Sequence, residues 1–369
     1  MKFSTLLFTV LIAVGCSKSQ TIKVTHTSSS NSDRLGLVAD KPIKNVIFII
    51  GDGTGLAQIA SGQLALVGKD GYLNLQKMPV AGFVKTTSAD NLVTDSASGA
   101  TAYSCGKKTD NGMIGYLPNG DHCKTLLELA EEKGMKTGMV VTSTMTHATP
   151  GSFAAHVESR NSQSEIAEHY INAGVEVLFG GGREYFIPQT EEGSSRKDDK
   201  NLIEDFKELG YEYISTAEEL INSSGEKVLG LFSLEGIPST DRTPTTKEMT
   251  EVALSKLDNK DGFFLMIEGS QIDWAGHAND LEYAIRELED FDNTIKTVLD
   301  FAQEDGETLV VITADHETGG MTMLSSHDDP NELEIEWVTE HHTGIPVPLM
   351  AYGPHARQFS GWTENTDIG

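Results

Sequence analysis

Positive charge is what this sequence has least of. Its 28 Lys and Arg stand against 55 Asp and Glu, a formal net charge of -27. That deficit excludes nucleic acid and anionic membrane as partners, because both are held through Lys and Arg. It also sets a condition on any small anionic ligand: its site must carry local positive charge that the composition does not advertise, and bound metal is the obvious supplier. Long hydrophobic runs are missing too. The apolar stretch Leu6 to Val14 is too short to span a bilayer. No internal repeat is present, and cysteine is scarce, with three residues in the chain. What remains is ordinary for a globular protein: 369 residues, 38% hydrophobic and 22% charged, enough for one large α/β domain or two smaller ones with a sizeable core.

The N-terminus, "MKFSTLLFTVLIAVGCSKSQ", sets a Lys before the apolar stretch and closes on Gly15-Cys16, which reads as a secretory signal. A small residue before Cys16 is similar to a bacterial lipoprotein processing site. Residues 1–16 are therefore expected to be removed or processed, with lipidation at Cys16 preferred over plain signal cleavage nearby. Residues 17–41, rich in Ser, Thr and Asn, would form a flexible tether, and 42–369 the folded domain. The implied location is outside the cytoplasm, periplasmic or lipid-anchored at the outer membrane or cell surface of a bacterium. With Cys16 consumed, Cys105 and Cys123 remain, as a disulfide or as two buried thiols. Export favours the bridge, which would close a loop of about 18 residues and contribute roughly 3 kcal/mol.

Several segments share one pattern, a short apolar run followed by polar residues of metal-binding type. "KNVIFIIGDGTG" runs Val46–Ile50 and then reaches Asp52; "KTGMVVTSTMTHATPG" has a strand near Met139–Thr142, then His147 and Thr149. "GFFLMIEGSQIDWAGH" runs Phe263–Ile267, then Glu268, Asp273 and His277; "ETLVVITADHETGG" runs Leu309–Thr313, then Asp315 and His316. Near-continuous apolar runs fit strands buried on both faces, as in a parallel sheet. Between them, residues 281–303 carry an apolar stripe at helical spacing, and "TPTTKEMTEVALSKL" opens with Thr243-Pro244 as cap and first turn. Residues 201–235 read as a small helix-and-strand insertion, and "GGG" at 180–182 as a tight turn. The fold class is α/β: a doubly wound, mostly parallel central sheet with helices on both faces, whose ligands bind beyond the carboxyl ends of the strands. All of the polar clusters fall there.

Taken singly, each cluster has a structural reading, an Asp capping the next helix or an isolated His in the core. Jointly, Asp52, Glu268, Asp273, His277, Asp315, His316 and one of His341 and His342 can converge on one rim. Mixed imidazole and carboxylate ligands suit Zn²⁺, while all-oxygen sets suit Mg²⁺. The four-residue spacing of Asp273 and His277 puts both on one helix face. "LVTDSASGATAYSCG", residues 92–106, sets Asp95 and Ser96 side by side before a run of small residues, either as a reactive serine or as a simple helix cap.

These segments resemble the alkaline phosphatase family. "TDSASGATAYSCG" is similar to its nucleophile segment, "GDGTG" to its first metal loop and "HATPGSFAAHVESR" to its phosphate-arginine segment; "EGSQIDWAGH", "TADHETGG", "HTG" and "AYGPHA" follow in family order. The likeness runs from about residue 42 to the end, and the motifs together are highly specific. It implies two Zn²⁺ and one Mg²⁺: Asp273, His277 and His342 around one zinc, Asp52, Asp315 and His316 around the other with Ser96 beside it, and Asp52, Thr149 and Glu268 around the magnesium. It implies Ser96 as nucleophile at a helix N-terminus, Arg160 as the phosphate clamp and Asp95 as the residue orienting it. The implied reaction is hydrolysis of small-molecule phosphate monoesters over a broad substrate range at alkaline pH, through two in-line displacements and a phosphoserine, by a homodimer.

This chain also departs from the family pattern. His147 stands where some bacterial members have an acidic residue beside the third metal, so it is expected to ligate or tune that metal. Trp274 stands where some have Lys, which implies weaker phosphate binding. The pair Cys105 and Cys123 matches a cysteine pair of animal members. The short stretch between His316 and His342 implies a small crown-like insertion, and the helix expected after "TDIG" implies a truncated sequence. The rival readings are a phosphodiesterase or another member of the same superfamily, and a non-catalytic lipoprotein that binds metal or phosphate.

Overall fold

In the computed structural model, which describes residues 20–24, 34–326, 329 and 331–369, the apolar runs become the centre of one ten-stranded sheet. Its strands are β1 (Asn45–Gly51), β2 (Val80–Lys85), β3 (Lys136–Thr144), β4 (Val177–Gly181), β5 (Glu212–Ile214), β6 (Val228–Leu231), β7 (Phe263–Gly269), β8 (Thr308–Thr313), β9 (Val347–Tyr352) and β10 (Gly361–Glu364). The order across the sheet is β10-β2-β9-β8-β1-β7-β3-β4-β6-β5. Only β9 runs against its neighbours, β2 and β8; every other adjacent pair is parallel.

Both faces of the central strands are covered, which is why their sequences are apolar without alternation. On one face Phe48, Ile50, Met266 and Val311 pack with Ala100, Leu127 and Phe153 from helices Ser96–Cys105, Leu126–Glu132 and Ala148–Ala154. On the other, Ile47, Ile49, Ile267 and Ile312 pack with Leu254, Phe291 and Val298 from helices Thr246–Leu257 and Leu281–Asp305. The doubly wound architecture is the expected one.

Four details differ from the sequence reading, the first being that of "GGG" only Gly182 turns, at a φ of +90, while Gly180 and Gly181 end β4. Residues 201–235 are not a separate insertion, since β5 and β6 continue the main sheet in parallel register beyond β4. Helix Thr246–Leu257 is capped by Thr245, not by Thr243-Pro244. The Thr245 hydroxyl accepts from the Glu248 N–H and the Glu248 carboxylate accepts from the Thr245 N–H, a reciprocal pair that Thr243 cannot form at its spacing. Gln20–Lys23 lies in the stretch expected to be a tether, yet pairs antiparallel with Glu332–Trp337, which in turn pairs with Met321–Ser325. Its Ile22 is buried with Leu281, Met321 and Ile335, and its Gln20 amide spans Asn279 O and Leu281 N, both at 2.7 Å. This small sheet fills the place of the crown-like insertion. Residues 1–19, including Cys16, and 25–33 lie outside the described residues. Cys105 and Cys123 form a disulfide, with Cα atoms 5.8 Å apart.

Candidate active site

The strand ends carry the polar residues to one rim. Asp52 follows β1, Glu268 sits near the end of β7, Asp315 and His316 follow β8, and His147 and Thr149 open the helix after β3. Helix Gln271–Ala278 brings Asp273 and His277 over this rim on one face. It lies so close that a Cβ on Gly53 would come within 2.6 Å of Asp273 Cα, and Gly53 also holds a φ of +71, so this turn of the first loop requires glycine. The two-residue strands Glu317–Thr318 and His342–Thr343 pair antiparallel and stack the His316 and His342 rings at 3.5 Å between centroids.

Three groups of side chains converge closely enough to hold a metal ion: Asp273, His277 and His342; Asp52, Asp315 and His316; and Asp52, His147 and Glu268. His277 Nε2 lies 3.3 Å from Asp273 Oδ2 and 3.2 Å from His342 Nε2. His316 Nε2 lies 3.2 Å from Asp315 Oδ2 and 3.6 Å from Asp52 Oδ1. Hydrogen bonds on the far side of each ring fix the tautomer. His277 Nδ1–H donates to Glu340 O at 2.6 Å and His342 Nδ1–H to Thr94 O at 3.0 Å, because a carbonyl only accepts. In their neutral forms, neither Nε2 has a proton to give the other, and two lone pairs face each other across 3.2 Å. A cation between them resolves that clash.

The buried oxygens make the same case. Both Asp52 carboxylate oxygens, Glu268 Oε1, Asp315 Oδ2 and Thr149 Oγ1 are buried without a hydrogen-bond partner, as is His147 Nδ1. Uncompensated burial of this kind is costly. Burial, then repulsion from Asp315, Asp273 and Glu268, pushes the Asp52 carboxyl well above the usual range. Burial likewise raises Glu268 to about 7, and burial with repulsion from Asp273 and Glu268 raises Asp315 to about 8. Asp273 goes the other way; burial would raise it, but the hydrogen bond to His277 and the charges of His316, His342 and His277 together outweigh that, and the bond to Asp273 lifts His277 to about 9. Divalent cations fit this donor set. The nitrogen-and-oxygen groups suit Zn²⁺, and Asp52, Glu268 and Thr149 offer the oxygens Mg²⁺ takes.

Ser96 opens helix Ser96–Cys105 beside this cluster, buried, with its Oγ 3.2 Å from His316 Nε2. Asp95 caps the same helix through Oδ1, which accepts from the Ser98 N–H at 3.0 Å, while its Oδ2 pairs with Arg160 Nη1 at 3.0 Å. Arg160 Nη2 lies 3.3 Å from His147 Nε2. Burial first, then Arg160, holds His147 down to about 3, so it is neutral and accepts from the guanidinium. The Trp274 ring meets His147 edge-on at 6.1 Å between centroids. All of the residues singled out in the sequence are thus brought together except Cys105 and Cys123, which lie at the far end of the Ser96 helix. Of the adjacent pair, His342 enters the cluster and His341 is exposed.

The sequence reading missed two kinds of residue. Thr94 and Glu340 act through backbone carbonyls, which leave no side-chain signature. Thr318 and Asn111 act through side chains; Thr318 sits inside "TADHETGG" but carried no assigned role, and Asn111 Oδ1 accepts from Asp95 N at 3.1 Å and from Ser98 Oγ at 2.7 Å.

A doubly wound sheet whose strand ends gather carboxylates and imidazoles around a serine at a helix N-terminus defines a class, the metal-dependent hydrolases of anionic esters. Comparison with known proteins narrows it. The family model for alkaline phosphatase matches residues 43–330. Alkaline phosphatase 3 of Bacillus subtilis is 37% identical over 88% of this chain and 87% of its own. The alkaline phosphatase of the Antarctic bacterium TAB5 superposes with a TM-score of 0.83 at 39% identity, covering 89% of this chain and 96% of that one. A TAB5 mutant with a histidine replaced by glutamate and Mg bound in the M3 site gives a TM-score of 0.81 at 37% identity, over 89% of this chain and 96% of that one. The chain belongs to the alkaline phosphatase family, and is a hydrolase of phosphate monoesters.

Proposed function

We propose that this chain hydrolyses a broad range of small phosphate monoesters through a covalent phosphoserine at Ser96. In this reading Asp273, His277 and His342 hold one Zn²⁺, and Asp52, Asp315 and His316 a second. Asp52, Thr149 and Glu268 hold Mg²⁺, with His147 beside it as a further ligand or tuning residue. The observation that carries the reading is the convergence of His277 and His342, with Nε2 atoms 3.2 Å apart beside Asp273, near a serine hydroxyl 3.2 Å from His316 Nε2.

When bound, the cations would supply the charge that lowers the Ser96 hydroxyl's pKa and stabilises the phosphoryl and leaving oxygens. The chain's own residues do the rest. Free N–H groups at the start of helix Ser96–Cys105 face the incoming anion. Asp95 fixes one edge of Arg160, leaving guanidinium N–H donors to grip two non-bridging oxygens, which a monoester presents better than a diester. In the first displacement Ser96 Oγ bonds to phosphorus as the bond to the alcohol oxygen breaks, and the serine proton ends on the leaving alcohol. In the second, a water oxygen bonds to phosphorus as the Oγ–P bond breaks, and one water proton passes to Oγ, which frees phosphate and restores the hydroxyl. Trp274 contributes no charge near the phosphate, which favours product release. Export, a lipid anchor at Cys16 and a homodimer belong to the same proposal; among the described residues no helix is long and apolar enough to cross a membrane.

The test is turnover of a chromogenic phosphate monoester and its diester analogue at alkaline pH by chelator-stripped protein refilled with Zn²⁺, Mg²⁺ or both. Monoester turnover that needs zinc and rises with magnesium is expected. Ser96→Ala should lower it by at least about 10³-fold and leave no phosphoserine to trap in acid. Preference for the diester would overturn the Arg160 and Mg²⁺ assignments, and zinc binding without turnover would favour a non-catalytic binding protein.

A further inference from the structure

The histidines of the two zinc groups are oriented differently. His277 and His342 lean on backbone carbonyls, Glu340 O and Thr94 O, which no substitution removes. His316 leans on a side chain, its Nδ1 lying 3.2 Å from Thr318 Oγ1. That hydroxyl has one proton, and it is donated to Asp273 Oδ1, because a carboxylate oxygen accepts. Oγ1 must therefore accept from His316 Nδ1–H, which leaves the His316 Nε2 lone pair directed at Asp52, Asp315 and Ser96. The result is a directed chain, His316 Nδ1–H to Thr318 Oγ1–H to Asp273 Oδ1. It starts on a ligand of one group and ends on a ligand of the other.

The rest of Thr318 reinforces this. It is fully buried, its N–H donates to Gly53 O at 3.1 Å in the first metal loop, and its carbonyl accepts from Gln58 Nε2 at 2.8 Å. Its Cβ and methyl lie against Gly276 so closely that a Cβ there would come within 2.9 Å of either, which brings helix Gln271–Ala278 down onto the hydroxyl. Its strand partner is His342. One residue thus touches each of the segments that carry the ligands of both groups.

We propose that Thr318 is a positioning residue that couples the two zinc groups, its hydroxyl holding His316 in the ligating tautomer while anchoring Asp273. This rests on the metal assignment above. Outer partners of metal ligands typically contribute about 10–100-fold in metal affinity. Because this hydroxyl serves a ligand in each group, its loss weakens both.

The experiment is titration of chelator-stripped protein with Zn²⁺ against a competing indicator chelator, for the unaltered chain, Thr318→Val, Thr318→Ala and Thr318→Ser. Co²⁺ absorption spectra read the ligand geometry, and far-UV circular dichroism checks the fold of each stripped protein. Thr318→Val and Thr318→Ala should weaken both zinc sites by about 10–100-fold and shift the Co²⁺ bands. Thr318→Ser, which keeps the hydroxyl, should recover affinity to within a few-fold. Should Val overfill the site and unfold the chain, the Ala and Ser pair carries the comparison. Ala binding zinc as tightly as the unaltered chain overturns the proposal. So does Ser being as weak as Ala, which would assign the effect to the methyl group, and so does weakening confined to one site. If the unaltered chain binds no zinc, it is the metal assignment that fails.

Discussion

Removing the cations should leave a protein that loses stability as pH rises through neutrality, the reverse of ordinary acid denaturation. Glu268 holds its proton up to about 7 in the metal-free fold because it is buried, whereas an unfolded chain releases it near 4.5. Between those values the native state binds more protons than the unfolded state, so unfolding becomes easier with each step up in pH, by about 1.4 kcal/mol per pH unit for one group. From pH 5 to 8 Glu268 alone accounts for a loss of about 3 kcal/mol. Asp315, raised to about 8 by burial and its acidic neighbours, acts in the same direction, but the two share one field and their effects do not add independently. His277, lifted to about 9 by Asp273, also gives stability that fades as pH climbs towards that value. Asp273, held low by its bond to His277 and the charges of the neighbouring histidines, contributes a constant amount across this window, while His147, His316 and His342, kept neutral chiefly by burial, oppose the trend up to about pH 6.5. For a chain of this length the melting entropy is about 0.8 kcal/mol/K, so the Glu268 share corresponds to a fall of about 3 °C between pH 5 and 8, and the melting temperature of the stripped protein should fall above pH 7, where His147, His316 and His342 are neutral in both states. The loaded protein should hold or gain over the same range, because its ligands must be ionised to bind metal. Scanning calorimetry of both forms at matched ionic strength reads the two slopes. A stripped protein whose melting temperature is flat or rises above pH 7 would refute the reasoning, since the carboxylates would then not be forced together in the absence of metal.

Other perturbations test single contacts. Arg160→Ala removes the guanidinium that Asp95 holds, and should raise KM for monoesters by about 10–100-fold while narrowing the preference for monoester over diester. Trp274→Lys places a cation beside His147 and should tighten competitive inhibition by inorganic phosphate; a constant no tighter than that of the unaltered enzyme would count against the role given to Trp274. Cys105→Ser opens the bridge to Cys123 at the end of the Ser96 helix, and should cost roughly 3 kcal/mol, or about 4 °C in melting temperature, without changing KM.

How far the sequence could be read follows from which interactions leave a trace in residue type. Strands buried on both faces are mostly apolar, so β1, β7 and β8 announce themselves as near-continuous runs and β3 by its shorter run Met139–Val141, and the polar residues after each are already at the rim. Strand Gln20–Lys23 announces nothing. One buried side chain, Ile22, and pairing with a distant hairpin make it a strand, and neither shows in four residues of sequence. The helix cap was misplaced because Thr243, Thr245 and Thr246 are alike in type, and only the spacing from Thr245 to Glu248 selects the residue that closes the turn.

The site divides along the same line. Side chains able to bind metal are few in kind and could be named one by one, but the groups that aim them are carbonyls of Thr94 and Glu340 and one threonine hydroxyl, chemistry that almost any sequence offers. The charge deficit is the more telling signal. Asp52, Glu268, Asp273 and Asp315 crowd the pocket, and the guanidinium that faces them, Arg160, is already paired with Asp95. At alkaline pH, where those carboxyls ionise, such a pocket repels phosphate. An acidic composition with aspartates and histidines at strand ends therefore argues for borrowed positive charge, and the substrate's anionic character follows from what the cations must outweigh.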